Sequence, residues 1–181
     1  MSRLRVFEDS EPGTPVFAAD DHAAIARELG RIGVRFERWH TDQTIKAGAS
    51  QDDVIAAYRK DIDRLQQENG YRAVDVISLS ADHPQKDALR NKFLDEHTHS
   101  EDEVRFFVAG EGMFFLHPDH RVYEVLCEQG DLIGVPDRTP HWFDMGPSPN
   151  FVAIRLFTNP AGWVADFTGA DISTRFPRLE N

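Results

Sequence analysis

The sequence predicts a mainly β fold, a sandwich or barrel with helices packed outside it from the N-terminal half. Three observations lead there. From Glu103 onward, short apolar stretches recur at regular spacing between turn-forming segments: Ala109-Gly-Glu-Gly112, His117-Pro-Asp-His120, Gln129-Gly-Asp131, Pro136-Asp-Arg-Thr-Pro140 and Gly146-Pro-Ser-Pro-Asn150. Ahead of Glu103, apolar residues recur three or four apart, the period of helices lying on a core. The length, 181 residues, suits one full core and would cramp two. A single domain over 1–181 is expected, with helices and outer strands in 1–95, barrel strands in 96–158 and a tail in 159–181 that packs across the barrel.

Taken in order, Asp20 or Asp21 can cap a helix whose Ile25, Leu29 and Ile32 share one face, and Gly33 suits its end. A strand over 34–39 follows. Ser50, with Asp53 three residues on, resembles a capping box; Val54, Tyr58, Ile62 and Leu65 then form one apolar stripe until Gly70 stops the helix. Residues 71–80 are rich in β-branched side chains. Pro84 suits the first turn of a short helix carrying Leu89 and Phe93. The barrel strands are placed at 104–109, 112–117, 121–128, 132–135, 141–145 and 151–157, with a hairpin turn at Gly110. Trp163 and Phe167 lie on the tail.

Composition excludes several classes of function. With 20 basic and 31 acidic residues the net charge is −11, and no basic run reaches five, so nucleic acid and anionic membrane are poor partners. The lone Cys127 cannot form an internal disulfide and reads as a small core residue. No apolar run approaches the ~20 residues of a membrane helix, and the first residues hold no long apolar stretch, so a cytoplasmic location is expected. Nothing demands more than a monomer.

The chemistry concentrates in His97-Thr-His99-Ser-Glu-Asp-Glu103. Side chains alternate faces along an extended strand, so positions 97, 99 and 103 share a parity and can point into one cavity. A turn, a short apolar strand and a second turn from Gly130 to Pro140 then deliver His141. Three imidazoles and a carboxylate suit a divalent metal such as iron or nickel, whereas calcium and magnesium want oxygen. The other histidines, His22, His40, His83, His117 and His120, lie in polar or turn surroundings and read as solvated or structural.

Arg105 shares the parity of Glu103, and Arg155 interrupts Phe151-Val-Ala-Ile-Arg-Leu-Phe157, a run apolar on both faces. A buried guanidinium needs a polar or anionic partner, either a core carboxylate or an anionic substrate at the metal cavity. Taken singly, Phe93, Phe143 and Trp163 read as ordinary core, and Glu96 and Asp102 as solvated acids.

Two segments resemble the paired motifs of the cupin superfamily. His97, His99, Glu103 and Gly110 fit the first, although no glycine stands six positions before His97. Gly130, Pro136 and His141 fit the second, with Arg138 where the motif has glycine and Met145 where it has asparagine. The longer string from Phe93 to Phe115, which contains Asp95-Glu-His-Thr-His-Ser-Glu-Asp-Glu-Val-Arg-Phe-Phe107, resembles the acireductone dioxygenases, the oxygen-consuming enzymes of methionine salvage. Gly33-Val-Arg-Phe-Glu-Arg-Trp39 and the regions of Arg155 and Trp163 agree, so the likeness covers most of the chain.

The resemblance implies a cupin double-stranded β-helix barrel with peripheral helices. It implies one Fe2+ or Ni2+ held by His97, His99, Glu103 and His141, leaving two positions for a chelating substrate. That substrate would be the acireductone 1,2-dihydroxy-3-keto-5-methylthiopentene, cleaved by O2. Formate and 4-methylthio-2-oxobutanoate are implied for iron, and methylthiopropionate, formate and carbon monoxide for nickel. Arg105 would be catalytic, and Arg155, Phe93, Phe143 and Trp163 would bind substrate. Glu96 and Asp102 would have accessory roles in metal loading or in relaying local change. The competing readings are another cupin dioxygenase, acting on a diketone, flavonol or thiol, and a non-enzymatic metal-binding cupin.

Overall fold

A computed structural model describes all 181 residues. The chain opens with β1 (Arg3–Glu8), where Leu4 and Val6 alternate into the core, and β2 (Phe17–Ala19) pairs back on it. Neither strand was predicted. Helix α1 (His22–Gly30) is capped by the Asp21 carboxylate, which accepts from the Ala24 amide at 2.8 Å, and it buries Ile25 and Leu29. It stops at Gly30, short of Gly33, whose φ of +74° turns the chain into β3 (Arg35–Arg38).

The single helix expected between Ser50 and Gly70 is two, α2 (Gln51–Ala57) and α3 (Arg59–Asn69). Tyr58 between them has φ −111° and ψ 25°, outside the helical well, and its ring packs edge-on against Phe106 at 5.6 Å. The stripe nevertheless holds: Val54, Tyr58, Ile62 and Leu65 are all buried in one cluster. Then come β4 (Ala73–Leu79) and α4 (Lys86–Leu94).

The remaining strands are β5 (His97–Thr98), β6 (Glu103–Leu116), β7 (Arg121–Glu128), β8 (Asp131–Val135), β9 (His141–Asp144), β10 (Phe151–Phe157) and β11 (Asp166–Phe167). They form two antiparallel layers, β11-β5-β9-β6-β7-β1-β2 and β4-β10-β6-β8-β3. Strand β6 belongs to both, which makes the pair the double-stranded barrel expected. The predicted hairpin at Gly110 is therefore a corner within one strand. Residues before it pair with β8 and β10, and those after it with β7 and β9. Gly110 has φ +67°, and a Cβ there would overlap the Asn150 carbonyl, so only glycine can turn this corner.

Inside the barrel Phe107, Phe114, Phe143 and Phe151 pack together. Each buried side chain of this size contributes about 2–3 kcal/mol. One outer face is covered by α2 and α3. The other is covered by the tail, whose Ile172, Phe176 and Leu179 cluster with Trp142 and Phe115, themselves stacked at 5.0 Å. No helix is long and apolar enough to cross a membrane.

Arg138, where the cupin motif has glycine, has φ +59°, a left-handed conformation costly for a side chain with a Cβ. The turn holds it there because its amide donates to the His99 carbonyl at 2.8 Å. Arg138→Gly removes the strain and offsets part of the gain with backbone entropy, so a net stabilisation of about 0.5–1 kcal/mol is expected. A rise in the urea midpoint checks this; a fall would show that the arginine side chain itself holds the turn.

Candidate metal centre

Short strands bring the sequence-distant ligand candidates together. His97 on β5 sits directly opposite His141 on β9, and Glu103 begins β6. The parity argument assumed one extended strand, but residues 100 and 101 bend and no continuous strand joins His99 to Glu103; the fold brings the side chains together by another path. The ligand nitrogens of His97, His99 and His141 lie within 4.8 Å of one another, and all three residues are buried.

Each ring is held from behind by a backbone carbonyl. His97 Nδ1–H donates to Asp95 O at 2.8 Å, His99 Nδ1–H to Val164 O at 3.1 Å, and His141 Nδ1–H to Thr139 O at 2.8 Å. A neutral imidazole carries one proton, so donation at Nδ1 leaves a lone pair at Nε2. Burial pushes the His97 pKa down to about 3, helped by the nearby His141, and burial also lowers that of His99. Both are therefore neutral at pH 7.

Glu103 completes the cluster. Its Oε1 accepts from Arg105 Nε at 2.6 Å, while Oε2 faces His99 Nε2 at 3.3 Å and His141 Nε2 at 3.6 Å. Burial raises the Glu103 pKa, but the Arg105 guanidinium leads the charges that more than offset it and hold the carboxyl well below its ordinary range. Glu103 Oε2, His99 Nε2 and His141 Nε2 are all buried without a hydrogen-bond partner. Acceptors facing acceptors repel, and a shared cation is what satisfies them. Donors about 2.0–2.2 Å from one ion at right angles lie about 3 Å apart, close to these spacings. The donor set fits a transition metal, with carbonyl hydrogen bonds fixing each ring as metal-ligand histidines require.

A cavity of about 150 Å³ opens onto this cluster, with His97, His99, Arg105, Arg155, Phe93 and Trp163 in its wall. Lys92, Ile77, Ala165 and Phe167 also line it, and sequence reasoning did not assign them there. Glu103 and His141 are buried outside the lining. Phe143 is also fully buried and outside it, 4.9 Å beneath the Arg105 guanidinium and edge-on to Phe93 at 6.2 Å. Arg155 pairs with Asp75 through two hydrogen bonds, of 2.9 Å from Nε and 2.7 Å from Nη2. Both readings of the arginine pair thus meet here: each has a carboxylate partner, and each reaches the cavity.

The two acids expected to be solvated part company. Glu96 is buried, accepting from His117 Nδ1 at 2.7 Å and Thr168 Oγ1 at 2.8 Å, because the β6–β7 hairpin carries His117 over it. Burial raises the Glu96 pKa, while the hydrogen bonds from His117 and Thr168 bring it below normal. Asp102 is exposed and accepts from the Asp137 amide at 2.8 Å, tying the loop before β6 to the loop after β8.

Comparison with known proteins agrees with this geometry. A model of the ARD/ARD' family matches residues 3–165. An acireductone dioxygenase of Xanthomonas campestris pv. campestris (strain B100) is 60% identical over 178 residues, 98% of this chain and 95% of that relative. Another, of Pseudomonas aeruginosa (strain UCBPP-PA14), is 60% identical over 181 residues and all of both chains. Among solved structures, acireductone dioxygenase from Bacillus anthracis with a cadmium ion in its active center superposes with a TM-score of 0.77 at 31% identity, covering 92% of this chain and 98% of that one. With a family model reaching across most of its length and relatives alike from end to end, the chain belongs to the ARD/ARD' family, that of the acireductone dioxygenases.

Proposed function

We propose that the protein cleaves the acireductone 1,2-dihydroxy-3-keto-5-methylthiopentene with O2, using one Fe2+ or Ni2+ held by His97, His99, Glu103 and His141. The observation that carries an anionic substrate is the cavity wall: ten residues with three cations, Lys92, Arg105 and Arg155, and no acid, in a chain of net charge −11. When bound, the metal supplies a Lewis acid and a template with two positions for adjacent substrate oxygens.

The protein's own groups do the rest. Arg105 and Arg155 favour the ionised enediol, lowering the cost of its lost protons, and an enediolate is electron-rich enough to react with O2. Arg105 is held by Glu103 on one side and by the faces of Phe114 and Phe143 on the other, at 4.8 and 4.9 Å, so its charge is fixed before substrate arrives. Phe93, Trp163 and Phe167 offer apolar surface to the thioether tail and limit water. The product set follows the metal loaded: formate and 4-methylthio-2-oxobutanoate, a keto acid one transamination from methionine, with iron; methylthiopropionate, formate and carbon monoxide with nickel.

His97→Ala and His141→Ala are each expected to lose most of the metal while circular dichroism still shows the folded barrel. Metal content near one per chain in both variants, read by plasma emission, would show the ligand assignment to be wrong. One metal-free preparation reconstituted with each metal, given acireductone and O2, is expected to release carbon monoxide in the headspace with nickel only. Equal release by both forms, or by neither, would separate product choice from metal identity.

A further inference from the structure

The arginine pair raises a physical problem that the metal ligands alone do not solve. Arg155 on β10 lies directly opposite Arg105 on β6, and on its other side directly opposite Asp75 on β4. Directly opposed cross-strand residues share a sheet face with Cβ atoms about 5 Å apart, and like charges so placed repel. Arg105 is 2% exposed and the Arg155 side chain 14%, so solvent does little to screen them. The row survives because each guanidinium has its own carboxylate: Glu103 for Arg105, Asp75 for Arg155.

The way those carboxylates bind differs. Glu103 takes only Nε of Arg105, and the Nη1 of Arg105 is buried with no partner. Asp75 takes both Nε and Nη2 of Arg155, a fork-to-fork pair that fixes the guanidinium plane, and the Phe157 ring lies 5.2 Å from its centre. Nη1 is then the Arg155 nitrogen left over. Both arginines line the cavity.

We propose that Asp75 is a positioning residue for the reaction: its two-point grip on Arg155 presents that arginine beside Arg105 as a two-pronged cradle for a small dianion bearing oxygens on adjacent carbons. This rests on the functional reading above and deepens it, because the enediolate dianion is such a ligand. Asp75 lies outside the cavity wall. It acts through Arg155 by removing the rotamer freedom that would let the guanidinium swing away from its like-charged neighbour.

The test is titration calorimetry of oxalate, a dianion with oxygens on adjacent carbons, into nickel-loaded enzyme without oxygen. Asp75→Asn is expected to weaken oxalate about tenfold, the scale of one charge-assisted hydrogen bond misplaced, with metal content unchanged. Asp75→Glu is expected to restore most of the affinity. Arg155→Lys keeps the charge but cannot be gripped at two points while reaching the cavity, so it is expected to weaken oxalate similarly. The double variant Asp75→Asn/Arg155→Lys should be no worse than either single one, because both remove the same device. Oxalate binding as tight in Asp75→Asn as in wild type, or tighter, would make Asp75 a mere counter-charge and overturn the proposal. So would unchanged binding in Arg155→Lys, a result that does not depend on Asp75→Asn folding. Failure of the wild-type enzyme to consume acireductone would instead overturn the functional reading, and the oxalate comparison would still report on the cradle.

Discussion

The centre of this protein gathers lone pairs rather than complementary partners. Three backbone carbonyls, those of Asp95, Thr139 and Val164, each take the Nδ1 proton of one imidazole, so a neutral ring presents an acceptor on its other face. Glu103 adds a fourth acceptor, kept ionised at a buried position by Arg105. An apolar interior normally pairs every polar atom, and an unmatched buried group costs about 1–3 kcal/mol. Here His99 Nε2, His141 Nε2 and Glu103 Oε2 stand unmatched within a few ångströms of one another. A cation bound here would relieve all of these costs at once.

The barrel exists in the form that holds these groups still. Strand β6 carries Glu103 and Arg105 in one sheet and, beyond the Gly110 corner, the residues that pair with β9 and so set His141 in the other. As one strand bent at a glycine, β6 joins these halves directly, without an intervening loop. The tail adds the third anchor. Phe167 on β11 pairs opposite His97, and the preceding segment supplies the Val164 carbonyl that orients His99. The segment that walls the cavity with Trp163 and Phe167 is therefore mechanically joined to two of the metal-ligand candidates.

Residues whose meaning is local were legible in the sequence. His97, His99 and Glu103 lie within seven positions, and the Pro136 turn announces His141, so spacing sufficed to collect them. What the sequence hid was long-range. A glycine at 110 marks either a hairpin or a bend, and only pairing with β8 and β10 on one side and β7 and β9 on the other decides between them. Glu96 resembled a solvated acid because His117, its partner, is 21 residues away on a hairpin that folds over it. Phe143, read singly as core, is fully buried and packs beneath Arg105; only the resemblance made it a substrate contact. Asp75 gave no signal until register placed it opposite Arg155. The carbonyls that fix the imidazoles could not be read at all, since every residue has one. β1 was missed although its alternation of charged and apolar residues is plain in Arg3-Leu-Arg-Val6.

Because the account turns on where three protons sit, the most direct measurement is of the protons. Long-range nitrogen–proton correlation spectra of the metal-free protein at pH 7 distinguish an Nδ1–H imidazole from an Nε2–H one and from imidazolium. Neutral Nδ1–H tautomers are predicted for His97 and His99, with Nε2 unprotonated before any metal is added, and a proton on Nδ1 is predicted for His141. Nε2–H tautomers or imidazolium at His97 and His99 would mean that the carbonyls do not preset the site, and would contradict the account.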